Sequence, residues 1–176
     1  VSEAVELVPY SDDWPRAFNA IAPTIAACFD PPPLRLDHIG SSAVPGLPAK
    51  PILDIIVLVA DMEKMDPALV ALERAGFEFR PEVSNAHRMF LRKLGPAGHR
   101  THHLHIHDSA DEVRRHVMFR DCLRNDATTR AAYLAHKEDL ATRFREDRGA
   151  YSRGKSDFID EVIRAAGGPE RVPWNP

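Results

Sequence analysis

Residues 37–59, DHIGSSAVPGLPAKPILDIIVLV, decide the fold. They read as the end of one strand, a Gly/Ser/Pro turn, and a second strand that carries one carboxylate. Gly40 lets a ligand approach the backbone closely, and Ser41 and Ser42 offer hydroxyls to phosphate oxygens, so the turn suits an anion. Asp54 then follows in an otherwise apolar run of Ile52, Leu53, Ile55, Ile56, Val57, Leu58 and Val59. An ionised carboxylate is costly to bury unpaired, so a metal ion, a cation or water at an open sheet end must meet it. Side chains alternate along a strand, which puts Asp54 with Ile52, Ile56 and Leu58, and Leu53, Ile55, Val57 and Val59 on the other face. Both faces are apolar, as in a central strand. Asp54 is either a carboxylate held by backbone N–H groups or an arginine, or a metal ligand. Lys50 lies between turn and strand, placed for a phosphate or for Asp54 itself, or simply solvated. His38 precedes the turn and is placed to orient it.

The flanking sequence adds alternating strand and helix patterns. Glu6–Tyr10 reads as a short edge strand. A helix follows, capped by Ser11, with Pro15 in its first turn and Trp14, Phe18, Ile21, Ile25 and Phe29 on one face. Asp30 and three prolines stop it. Strands are expected at 34–39, 52–59, 77–80, 88–94 and 101–107, and helices at 62–75, 110–124, 128–148 and 156–166, the last three forming a helical C-terminal third. Trp174 sits in a terminal tail that docks back. This is an α+β pattern: a mixed sheet flanked by helices, read as one domain over residues 1–176.

Five of the nine histidines fall between His99 and His107. On a strand, His103, His105 and His107 share one face, and Leu104 and Ile106 mark the other as core. The histidine face is expected to be open, with His107 exposed at its end. Neutral imidazole suits zinc, manganese, iron or nickel and suits magnesium poorly. Asp54, His103 and His105 are therefore the candidate metal ligands. Asp54 and His105 are also the candidate catalytic pair, with His105 or His103 as base. The plain alternative is that these histidines hydrogen-bond phosphate, carboxylate or backbone without metal. Arg88, Phe90 and Arg92 share a strand face, where the guanidinium groups grip an anion or only solvate the surface. Tyr151 and Lys155, four apart, either reach the same cleft or cap the last helix. Gly40, Ser41, Ser42, Lys50, Arg92 and Lys155 are the candidate phosphate-binding set. The stretch HKEDLATRFREDR (136–148) reads as a solvated helical face with pairs such as Asp139–Arg143.

Three segments together, HIGSSAVPGLPAKPILDI (38–55), THHLHIH (101–107) and YSRGKSDFI (151–159), resemble the signature of the GrpB family, a branch of the nucleotidyltransferase superfamily. Members also occur fused to dephospho-CoA kinase. The resemblance implies the nucleotidyltransferase fold, with the Gly-Ser turn as its phosphate-holding turn. It also implies a second carboxylate two residues after Asp54, where paired carboxylates would hold divalent ions, magnesium, manganese or zinc among them. Here that position is Ile56, so the pair is broken. The expected function is binding of a nucleotide or other phosphorylated small molecule, with metal-dependent nucleotidyl transfer as its catalytic form. A non-catalytic ligand-binding or accessory domain, linked to CoA-type nucleotides, is one alternative. A metal-dependent phosphoester hydrolase is another.

Bulk properties narrow the classes. Net charge is −3, which gives no basic excess for a nucleic-acid backbone. No apolar run reaches a membrane span, and VSEAVELVPY lacks the basic start and apolar core of a secretion signal, so a cytoplasmic protein is expected. Cys28 and Cys122 lie far apart in helical patterns and read as buried free thiols, and no C-x-x-C offers a thiolate zinc site. No protein partner can be named from the residues.

Overall fold

The computed structural model describes residues 4–172, so the expectation for Trp174 lies outside the described residues. Five strands form one mixed sheet: β1 (Arg35–Ile39), β2 (Leu53–Leu58), β3 (Phe77–Phe79), β4 (Arg88–Leu94) and β5 (Arg100–His107). Their order is β1-β2-β5-β4-β3. β2 and β5 pair in parallel, and the other three pairings are antiparallel. A parallel pair needs a long crossover. Here that crossover is α2 (Asp66–Arg74) with the β3–β4 hairpin.

The alternation along β2 gives the sheet two different faces. Leu53, Ile55 and Val57, with Leu91, Leu104, Ile106 and Phe77, face α1 (Asp13–Ala26) and α2, where Ile25, Met65 and Leu72 close a continuous apolar core. Fully burying a side chain of this size stabilises by about 1.5–3 kcal/mol, so this face anchors the sheet. Across the sheet, Ile39 and Ile56 pack on Val113 and Val117 of α3 (Ala110–Asn125). Ser109 caps α3 by accepting from Glu112 N. Three more helices follow: α4 (Ala127–Arg143), α5 (Arg148–Gly154) and α6 (Ser156–Ala165). Phe119, Leu123, Tyr133 and Ile163 join α3, α4 and α6 to Val44 and Leu47 beyond the 40–43 turn. The helical C-terminal part therefore sits directly against the turn.

Several sequence expectations change in the fold. Glu6–Tyr10 forms no strand; Val8 makes one isolated bridge with Ala49, and Pro9 has no N–H to extend it. The 62–75 helix divides, because Asp61 caps a short 3₁₀ turn at Met62–Lys64 and Pro67 then opens α2 afresh. The expected 128–148 helix stops at Arg143. Asp147 accepts from Ala150 N and starts α5 in a new direction. That break brings Tyr151 and Lys155 to the sheet. The expected Asp139–Arg143 pair forms at 3.1 Å. Both cysteines are free, but half-buried rather than buried. No helix among the described residues is long and apolar enough to cross a membrane.

Candidate functional site

Strand register assembles the site. Ile39, Asp54, His103, Arg92 and Glu78 are successive partners across all five strands, a single row on the face that carries α3. The next row holds Asp37, Ile56, His105 and Phe90, and the third holds Arg35, Leu58, His107 and Arg88. Gly40 ends β1 with φ of +70°, and a Cβ there would lie 2.5 Å from Asp54 Oδ2. Both the positive φ and the close approach demand glycine. The turn is thereby pressed onto the carboxylate.

Asp54 keeps 31% of its side chain accessible, so it opens into a cleft rather than the core. Its Oδ1 lies 3.0 Å from His103 Nδ1. Burial pushes the carboxyl pKa up, but the His103 hydrogen bond and the neighbouring His103, His105 and Lys50 outweigh it and hold Asp54 well below the usual carboxylate range. One ligand atom each from Asp54, His103 and His105 can be chosen so that all lie within 4.8 Å of one another. Phe90 packs against both rings at centroid distances of 5.2 and 5.1 Å. Arg88 Nη2 stands 3.4 Å from His105 Nδ1.

Lysines close the other side. Lys137 of α4 is 1% exposed, and its Nζ donates to the Pro48 carbonyl and, at 3.2 Å, to Ser41 Oγ. Lys50 and Lys155 are half-buried, and their ammonium groups lie 5.4 and 4.7 Å from the centroid of the buried Tyr151 ring. Burial, then the charge of Lys155, pushes Lys50 and Lys137 each down to about 7. Burial lowers Lys155 as well, with Asp54 opposing. Burial and then Asp54 push the Tyr151 hydroxyl up to about 12.

The candidate residues thus fall into groups. Gly40, Ser41, Lys50, Asp54, His103, His105 and Lys155 gather around the Asp54 carboxylate, the Lys137 ammonium and the Tyr151 ring. Ser42 is buried and its hydroxyl is engaged by His38 Nε2 at 3.0 Å, inside the turn. His38 itself stacks on Phe18 and is pushed down to about 4 by burial, so it braces the loop as a neutral ring. Arg92 lies in the Asp54 row but donates to Glu78 at 2.8 Å. His107 is 4% exposed, not exposed as expected, because α3 covers that end of the face and sets His116 beside it. The expected open face is therefore closed at its His107 end. Lys137 was missed, having been read with the solvated face of its helix. The signal was present: Tyr133, Lys137 and Leu140 stand at helical spacing, and all three are buried.

The paired-carboxylate centre implied by the sequence resemblance does not fit these residues. Its second position is Ile56, 0% exposed and packed on Val113 and Val117. No oxygen ligand stands there to bridge two magnesium ions.

The mixed sheet flanked by helices is of the nucleotidyltransferase-like fold class, and at the level of the fold alone a solved structure is similar. Terminal uridylyl transferase 4 from Trypanosoma brucei, with bound GTP, aligns over 90% of this chain and 52% of that one, with a TM-score of 0.52 and 13% identity. Within that class the chain belongs to the GrpB family, whose profile, described as GrpB protein, matches residues 4–165. The crystal structure of conserved protein GrpB from Enterococcus faecalis is similar over 92% of this chain and 96% of that one, with a TM-score of 0.81 and 34% identity. The UPF0157 protein PA4798 of Pseudomonas aeruginosa is 38% identical over 173 residues, 97% of this chain and 71% of its own length.

Proposed function

We propose that this chain binds a nucleotide or another phosphorylated small molecule in the cleft between the 40–43 turn, the Asp54 row and helices α4 and α5. One observation carries the reading: Lys50, Lys137 and Lys155 arrive from three separate segments and converge around Tyr151 and Ser41. Three withdrawn ammonium groups near one carboxylate are unfavourable in an empty cleft. A polyanion reverses that balance through charge-assisted hydrogen bonds. Ser41, Lys50 and Lys155 hold phosphate oxygens in this reading, the buried Lys137 backs them through Ser41, and Asp54 orients the cationic edge of the site. A cytoplasmic setting, where such ligands abound, belongs to the same proposal.

Two fates of the ligand differ in chemistry. In nucleotidyl transfer an acceptor oxygen bonds to the α-phosphorus, the bond to the β-phosphate oxygen breaks, and pyrophosphate leaves. His105 or His103 would take the acceptor's proton. In an accessory domain the ligand is held and released unchanged. Ile56 favours the second, since the paired-carboxylate centre is missing.

The test is thermal melting with nucleoside triphosphates, CoA precursors and phosphosugars. A ligand that binds only the folded chain raises the melting temperature as its concentration passes the dissociation constant. The expected result is a saturable rise with a phosphorylated member of the panel, absent in Lys137→Gln. Incubation with that ligand and chromatography of the products then separates transfer from stoichiometric binding. No rise with any phosphorylated compound would overturn the reading.

A further inference from the structure

We propose that Asp54, His103 and His105 form a mononuclear site for a borderline transition-metal ion of the zinc or manganese class, in place of a magnesium pair. The inference deepens the cleft assignment above by naming the ion that would sit beside the phosphorylated ligand. It rests on geometry. The three side chains sit on adjacent parallel strands, Asp54 opposite His103 and Ile56 opposite His105. Their ligand atoms lie within 4.8 Å of one another. Two bonds of about 2.1 Å set at 90° to 109° put their donors roughly 3.0–3.4 Å apart. The 3.0 Å between Asp54 Oδ1 and His103 Nδ1 already matches such an edge.

The nitrogen chemistry points the same way. An ionised carboxylate only accepts, so without an ion the proton of that contact sits on His103 Nδ1, and an ion bound on that edge takes the proton's place. Phe90 packs against both rings and holds their orientation. Two imidazoles and one carboxylate suit zinc, manganese, iron or nickel, whereas magnesium prefers an all-oxygen octahedron. Asp54 faces the accessible cleft, which leaves coordination positions for water or a phosphate oxygen.

The experiment uses the full chain, stripped with chelator and dialysed, with no phosphorylated compound present. Cobalt chloride is titrated while the visible d–d absorption is recorded, and zinc affinity is taken from competition. The expected result is one equivalent of cobalt with a saturating visible band. His103→Ala and His105→Ala should each lose the band and weaken zinc by at least about 100-fold, the upper end of an outer-shell effect. His102→Ala, on the opposite face of the same strand, should keep both, which controls for stray histidine binding. Circular dichroism melts confirm that each variant folds. Millimolar magnesium should not displace the cobalt. A band that persists in both triad variants, loss in His102→Ala as well, or no saturable cobalt binding by folded wild type would each overturn the metal site. Because no anion is present, these outcomes leave the lysine-based ligand reading standing or falling on its own test.

Discussion

Gly40 and Lys137 show how single residues tune this cleft in opposite senses. Gly40 stands at a positive φ against the Asp54 carboxylate. Alanine there combines left-handed strain with a steric clash, so Gly40→Ala is expected to destabilise by about 2–4 kcal/mol in denaturant unfolding. Lys137 is held down at about 7 among Lys155, Lys50 and Glu138, with Ser41, Pro48 and Tyr133 as its remaining neighbours. Its ordinary value is near 10.4, so the unfolded chain binds more protons between about pH 7 and pH 10.4. Stability of the ligand-free protein should therefore rise with pH across that window, and Lys137→Gln should flatten the rise. A bound polyanion needs the lysines charged. Its stabilising effect should be largest below pH 7 and shrink by pH 8.5, the opposite slope. Melting temperatures with and without inorganic tripolyphosphate at pH 6.5 and 8.5 check both signs.

At the scale of elements, the break between α4 and α5 matters most, because it delivers Tyr151 and Lys155 to the sheet. Asp147 caps α5. Asp147→Ala should cost about 1 kcal/mol of stability and also weaken the anion response, since α5 frays where it carries the site. Arg115 is the second fastening: buried on α3, it pairs with Asp160 of α6 at 2.5 Å and donates to the Pro169 carbonyl. Removing one partner of such a pair strands the other, so Arg115→Ala should destabilise by about 3 kcal/mol, read from the unfolding midpoint. The sequence carried much of this scale. The strands and most of the helices follow from alternation and 3.6-residue spacing, and so does the shared face of His103, His105 and His107. The α4–α5 break was hidden, because charged residues continue the helical pattern through 143–148 and only Asp147's capping role ends it.

For the whole molecule, the fold was legible because Gly40 through Val59 combine a glycine-dependent turn with a doubly buried strand. The cleft was only half legible. Asp54, His103 and His105 lie on strands, where face and register can be read from alternation. Lys137 lies on a helix 83 residues beyond Asp54 in sequence, and only the packing of the C-terminal helices against the turn reveals it. His107 was misjudged for the same reason: the helix that covers it is distant in sequence. Ile56 separates this chain from paired-carboxylate chemistry, and its burial under α3 makes that difference part of the core. The molecule is thus a nucleotidyltransferase-like sheet whose helical part supplies cations instead of leaving the sheet carboxylates to organise the cleft alone.

The most direct measurement is the melting temperature of wild type and Lys137→Gln against inorganic tripolyphosphate and a nucleoside triphosphate. At 100 times the dissociation constant a folded-state ligand contributes about 2.7 kcal/mol, roughly 5–10 °C for a chain of this size. The expected result is a saturable rise of that order in wild type and a rise near zero in a folded Lys137→Gln. An equal rise in both proteins, or none in wild type, would contradict the lysine-lined cleft.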